Sequence, residues 1–188
     1  MPHYNHISLL VLGAAPASAE FVFVKQVVPA LTDLWLDDYD AITPESDVVL
    51  TTAGGFSYLF DIRWQRLIAA WGISRGAHVG PRDKGRMAGS PRTGGALYHR
   101  GHAIPHTLGG VTDINLVPQL GAVNVGAFRA LERAAVATPG ALYFTYWSYR
   151  GARLRTPQGR EEPGQIPTAV EQGLLVPGAA PSITRHAN

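Results

Sequence analysis

His102, Arg100 and Asn124 are of the types that hydrolyse a phosphodiester, and they recur in a short span of this chain. The span begins Tyr98-His99-Arg100-Gly101-His102, continues with Asp113-Ile114-Asn115-Leu116-Val117-Pro118-Gln119, and reaches Asn124. A neutral imidazole can take a proton from water, a guanidinium can neutralise a phosphate oxygen, and an amide oxygen can hold a hard divalent cation. The combination suits attack by water on phosphorus.

The elements that must carry these groups follow from local pattern. Ala96-Leu97-Tyr98-His99 reads as a short strand that delivers His102 at its end, Gly109-Gly110 as a turn, and Asn115-Leu116-Val117-Pro118 as a strand or extended segment. The clearest helix starts at Asn124, a favourable N-cap residue, with Phe128, Leu131 and Ala135 at helical spacing and Thr138-Pro139-Gly140 as its stop. Upstream, Val48 to Thr52 reads as a strand, and Phe56 to Ile62 with Leu67 to Trp71 as a hairpin. Glu20 to Leu36 reads as a strand, Phe21 to Val24, running into a short helix after Pro29. Residues 72–95 form a basic loop rich in Gly, Pro and Arg. Ala141 to Arg150 is an aromatic strand, read as packing rather than a base-stacking platform, and the tail beyond Arg155 is expected to wrap the surface with Gly173 to Val176 as its anchor. The pattern is α+β, with a mixed or antiparallel sheet.

At 188 residues, with 46% hydrophobic and 16% charged residues, the chain is long enough for one well-buried core, and we read 1–188 as one domain. It has no cysteine, which excludes a disulfide framework, a thiolate metal site and a cysteine nucleophile. The net charge of +2 hides an asymmetry. Asp33, Asp37, Asp38, Asp40, Glu45 and Asp47 precede a middle region in which Arg63, Arg66, Arg75, Arg82, Lys84, Arg86, Arg92 and Arg100 face only Asp83. Arginine's planar fork suits phosphate, so a polyanion is the partner this implies; a solvated loop face is the plain alternative. No apolar run is long enough to span a membrane. Residues 1–19 read either as a secretory leader ending in Ala17-Ser18-Ala19 or as a first strand, Ile7 to Leu12.

The ordered set from Tyr98 to Glu132 resembles the DNA/RNA non-specific endonuclease family, nucleases with a ββα-metal (His-Me finger) core. The family pattern is an Asp-Arg-Gly-His box, a Gly-Gly turn, an Asn-(Leu/Ile)-x-Pro-Gln segment, a metal-binding Asn and a Glu eight residues later. Here it reads His99-Arg100-Gly101-His102, Gly109-Gly110, Asn115 to Gln119, Asn124 and Glu132. The resemblance implies a ββα-metal motif over residues 96–137, with His102 as general base, Asn124 as the one direct protein ligand of Mg²⁺ or Mn²⁺, and Arg100 at the box or the scissile phosphate. It implies a DNA or RNA substrate cut to leave 5′-phosphate ends, and an inhibitor or immunity protein as a partner. A further phosphate contact is expected from Arg82, Arg86 or Arg92, and Asn115 and Gln119 are expected to fix loop backbone. Eight residues of regular α-helix give about 12 Å of rise and about 80° of rotation, which keeps Glu132 out of Asn124's coordination shell and assigns it a metal-bound water or an arginine.

One position departs from the family. His99 stands where the pattern has Asp, so a supporting charge or hydrogen bond is altered there. His102 and His106, four apart, raise a Zn²⁺ alternative that requires a helix, against which Gly101, Pro105 and the Gly-Gly turn argue. The principal non-enzyme alternative is a nucleic-acid-binding or toxin-related module with an impaired site.

Overall fold

Phe23, Val27, Leu31, Trp35 and Tyr39 are all fully buried at four-residue spacing, and that stripe makes the N-terminal region helical. The computed structural model describes residues 2–81, 84–87, 89, 91 and 94–188, apart from the side chains of 84 and 86. Its first elements are α1 (Asn5–Leu12), α2 (Ala19–Val22), a π-helical turn (Phe23–Val27) and α3 (Val28–Asp40). Both strands expected here, Ile7 to Leu12 and Phe21 to Val24, are therefore helix. Their β-branched composition favours strand only weakly, and a long one-sided apolar stripe outweighs it. The widened turn lies directly ahead of Pro29, whose ring and missing N–H break the regular hydrogen-bond ladder.

Strands β1 (Val48–Ala53), β2 (Phe56–Asp61) and β3 (Arg66–Ile73) follow as an antiparallel meander. After a short helix α4 (Lys84–Met87) come β4 (Tyr98–His102), β5 (Leu116–Leu120) and α5 (Phe128–Ala137), and then β6 (Leu142–Ser148) returns beside β3. A small ribbon of β7 (Arg153–Arg155) and β8 (Glu161–Pro163) precedes β9 (Ala169–Leu175) and β10 (Ser182–Ala187). The main sheet is antiparallel in the order β1-β2-β3-β6-β9-β10, while β4 and β5 pair with each other outside it. The segment expected to do chemistry is thus an excursion between two neighbouring strands of the main sheet.

Every residue of β6 and of β9 is buried, because both faces of the sheet are covered. On one face Trp35 packs against Trp71, Phe144 and Tyr146, with ring centroids 5.6, 5.2 and 6.1 Å away. On the other face Phe128 of α5 meets Trp147, and Gln172 donates to the Phe128 carbonyl at 3.0 Å and to the Tyr143 hydroxyl at 2.9 Å. The aromatic run of β6 is packing. The tail is not a surface wrap: β9 is an interior strand of the sheet. Glu171 and Gln172 disguise it in sequence, and Gly173 is there because a Cβ would run into the Phe144 ring on the paired strand.

Buried polar groups lock these layers together. Asp61 accepts from the Tyr39 hydroxyl at 2.6 Å and from the Trp64 backbone N–H at 3.1 Å, fixing the β2–β3 turn to α3. Arg66, 1% exposed, donates from Nε to the Gly164 carbonyl at 2.8 Å and from Nη1 to Thr43 at 3.2 Å, with its guanidinium 4.4 Å from the Tyr149 ring centroid. On the helical face the Tyr4 hydroxyl donates to Glu171 at 2.6 Å and receives Trp35 Nε1–H at 3.1 Å.

Burial pushes the Glu171 carboxyl above its ordinary range, against the opposing effects of Tyr4 and Arg185. The native state then holds that proton more tightly than the unfolded chain does. This group's contribution to stability is complete below the unfolded pKa, about 4.3, and is lost as pH rises through the raised native value. Glu171→Gln keeps an acceptor for Tyr4 and removes the titration. The variant is expected to gain stability relative to the natural chain as pH rises, which urea melts across the acid-to-neutral range will read; a pH-independent difference would contradict the assignment.

Candidate active site

The β4–β5 ribbon sets Arg100 opposite Pro118, Gly101 opposite Val117 and His102 opposite Leu116. Gly101 is required because a Cβ there would run into the Gln119 side chain. Gln119 is fully buried, and its amide makes no hydrogen bond to any described residue, so it packs beneath Gly101 rather than tying down loop backbone. Asn115 does tie it down. Its side chain accepts from the Ile104 N–H at 2.7 Å and donates to the carbonyls of Ile104 and Val111, both at 2.8 Å, while its own carbonyl accepts from Ala103 at 2.9 Å. Gly110 passes so close to the Ile104 carbonyl and the Asn115 amide that a Cβ has no room. Residues 103–115 are thereby clamped immediately after His102.

Asn124 departs from its expected place. It lies inside the helix, in a π-helical turn (Val123–Ala127) that runs into α5, and it caps nothing: neither segment has a side-chain cap. The widened turn also overturns the expected angle to Glu132. One extra residue in the turn makes an eight-residue step behave like seven, about 700° in place of 800°, so the two side chains fall within about 20° of one helical face. They remain about 10 Å apart along the axis, which still separates Glu132 from Asn124's coordination shell.

Arg100, His102, Asn124 and Glu132 line one cleft of about 110 Å³, together with Met87, Pro105, His106, Thr107 and Arg129. Arg129 and His106 are the groups that sequence reading left out of this arrangement. Arg129 lies three residues before Glu132, a spacing that places both on one helical side, and this was the available signal. His99 sits outside the cleft with its Nδ1 3.4 Å from Asn124 Nδ2, and Gly121 leaves room for its ring, since a Cβ there would lie 2.9 Å from Nε2. An imidazole accepting from the amide N–H leaves Asn124 Oδ1 for another partner. Arg82 and Arg92 lie outside the described residues, as does the side chain of Arg86.

The donors present are an amide oxygen and a carboxylate, the hard oxygen ligands that suit Mg²⁺. The Zn²⁺ alternative finds no helix: His102 ends a strand, His106 starts a 3₁₀ turn, and their rings meet edge to face at 6.4 Å. Among the described residues no three His, Cys, Asp or Glu side chains gather as metal ligands. No single described helix is long and apolar enough to cross a membrane.

No family model matches the chain, and no curated protein does either. Among solved structures it is similar to a chain of the EndoG/EndoGI complex, a structure described as giving the mechanism of EndoG inhibition. The identity is 14% and the TM-score 0.46, over 66% of this chain and 66% of that one. A third of each chain is unmatched.

The clamp can be tested without reference to activity. Asn115→Ala strands the Ile104 N–H and two carbonyls in the interior, at a cost of about 1–3 kcal/mol for a buried group left unsatisfied. We expect a lowered denaturation midpoint with unchanged helix content by circular dichroism. A variant as stable as the natural chain would show that the loop does not depend on Asn115.

Proposed function

We propose that this chain is a metal-dependent nuclease that hydrolyses phosphodiester bonds of DNA or RNA with little sequence preference. The observation that carries the reading is the joint placement of His102, Arg100, Asn124, Arg129 and Glu132 around one small cleft. A base, two guanidinium groups and two oxygen donors are the inventory that a one-metal phosphodiesterase needs, and the ordered motif from His99 to Glu132 supports the same reading.

In this proposal His102 takes the proton of a water as it attacks phosphorus, with the tight Asn115 loop holding the imidazole's neighbours in place. Arg100 and Arg129 neutralise phosphate oxygens and orient the group for in-line displacement. Asn124, through Oδ1, would hold Mg²⁺ or Mn²⁺, and Glu132 would fix a water of its shell; the bound cation supplies charge neutralisation at the phosphate and at the departing 3′-oxygen. His99, in contact with the Asn124 amide, orients the ligand by a hydrogen bond where the related pattern has a carboxylate. The products carry 5′-phosphate ends.

Supercoiled plasmid with Mg²⁺ tests this directly. Natural protein is expected to nick it, and His102→Ala to lower the rate by about 10²- to 10⁴-fold, the usual worth of a positioned general base. Binding of plasmid without nicking, at any Mg²⁺ or Mn²⁺ concentration, would instead favour a nucleic-acid-binding module with an impaired site.

The metal assignment has its own readout. Asn124→Ala is expected to lose the heat of Mg²⁺ binding in calorimetry, while Asn124→Asp, which keeps an oxygen, retains it. Equal Mg²⁺ affinity in the natural chain and Asn124→Ala would remove Asn124 from that role.

A further inference from the structure

At about 110 Å³ the cleft has room for little more than one phosphate group, so a bound strand must continue beyond it. Three larger grooves adjoin, of which one, of about 370 Å³, shares Thr107, Arg129 and Glu132 with the cleft and so carries the Glu132 carboxylate on its wall. Another, of about 640 Å³, shares Arg100 with the cleft, and its wall also carries the Asp113 carboxylate. The last, of about 650 Å³, shares His106, and among the described residues its wall carries Arg75, His78 and His106 with no carboxylate. Electrostatics favours the last as the path of a polyanion.

Its details suit that use. Arg75 is exposed, and among the described residues no carboxylate pairs with it, so its fork can take two oxygens of one phosphate. The imidazoles form a row away from the catalytic base, His102 to His106 at 6.4 Å and His106 to His78 at 5.7 Å between ring centroids. Both outer histidines are held by backbone: the His78 N–H donates to the Thr107 carbonyl at 2.7 Å, and His106 Nε2 lies 3.3 Å from the Pro81 carbonyl. Gly54, Gly76, Gly109 and Gly110 also line the groove, and Val111 gives it an apolar side.

We propose that the Arg75–His78–His106 groove is a subsite for the phosphate adjoining the scissile one on the same polynucleotide strand. It rests on the nuclease reading of the neighbouring cleft and extends the substrate from a phosphodiester to a strand of at least two phosphates. Arg75, from the segment expected in sequence as a basic loop, is then the contact that this segment supplies.

The test is Arg75→Gln, alone and with His78→Asn, in the full chain. Fluorescence anisotropy with a single-stranded oligonucleotide is expected to show weaker binding for each variant. For Arg75→Gln the slope of log affinity against log salt should be shallower by about 0.7, the amount for one lost phosphate contact on a single strand. Hydrolysis of bis(p-nitrophenyl) phosphate, which has one phosphodiester, should be unchanged while KM for the oligonucleotide rises. Unchanged affinity and slope would overturn the subsite, and so would an equal loss on both substrates, which would place Arg75 in the catalytic cleft or in the fold. If the natural chain cleaves neither substrate, the nuclease reading fails, and the anisotropy series still decides whether Arg75 holds a phosphate.

Discussion

Everything at the site hangs on one buried amide. The β4–β5 ribbon lies outside the main sheet, and two strands alone are marginal in water. Asn115 converts the ribbon into a fixed platform by satisfying a donor and two acceptors of the 103–115 loop with its side chain. No aliphatic residue could do this, because the Ile104 and Val111 groups would be desolvated with no partner. The two glycines of the turn are the complement of that amide: Gly109 at φ +97° reverses the chain, and Gly110 lets the backbone come up to the Ile104 carbonyl. His102 immediately precedes the segment so fixed and His106 lies within it, which is why a strand end and a 3₁₀ turn can present imidazoles to one cleft.

The second half of the cleft is held by a different mechanism. The α5 helix is anchored by its apolar face, through Phe128 against Trp147 and the Gln172 bond to the Phe128 carbonyl, so Arg129 and Glu132 are carried on a rigid body docked to the sheet. The N-terminal helices bury the opposite face through Trp35 and Tyr4, and none of their residues lines the cleft. The helical layer and the cleft are therefore held by different contacts. The Tyr4–Glu171 and Tyr39–Asp61 bonds bear on how firmly the helical layer is seated, whereas Asn115 and the α5 anchor bear on the geometry of the proposed catalytic groups.

What could be read from sequence divides along physical lines. The β1–β3 meander, the β4 and β5 strands and the α5 helix have short-range signatures, namely alternation, turn glycines and a three-to-four-residue apolar spacing, and local pattern finds each but not its ends: Ala96 and Leu97 are in a 3₁₀ turn rather than the strand, and Asn124 lies inside the helical segment rather than at its start. The N-terminal helices carried an equally good signal in Phe23, Val27, Leu31, Trp35 and Tyr39, but β-branched neighbours and Pro29 masked it over any short window. Strand β9 was illegible for a different reason. Its Glu171 and Gln172 are buried only because Tyr4, Tyr143 and the Phe128 carbonyl meet them from distant parts of the chain. No local pattern records such partners. The same holds for His78 and Arg75, whose nearness to His106 depends on how the loop after β3 lies against the Gly109 turn.

The π-helical turn at Asn124 shows how a local irregularity sets the reach of the site. A regular helix from Val123 onward would rotate Asn124 about 80° away from Glu132 and turn one of them out of the cleft. Inserting one residue into the turn brings them onto one face, at the cost of a less favourable hydrogen-bond geometry that such turns carry. Nothing in the apolar spacing demands this: Phe128, Leu131 and Ala135 are buried by the regular part of the helix and would be so without it. Val123 in the turn is partly buried against the core, so packing also bears on how the turn is seated. The feature that the widened turn changes is the common direction of an amide and a carboxylate, and so whether both line one cleft.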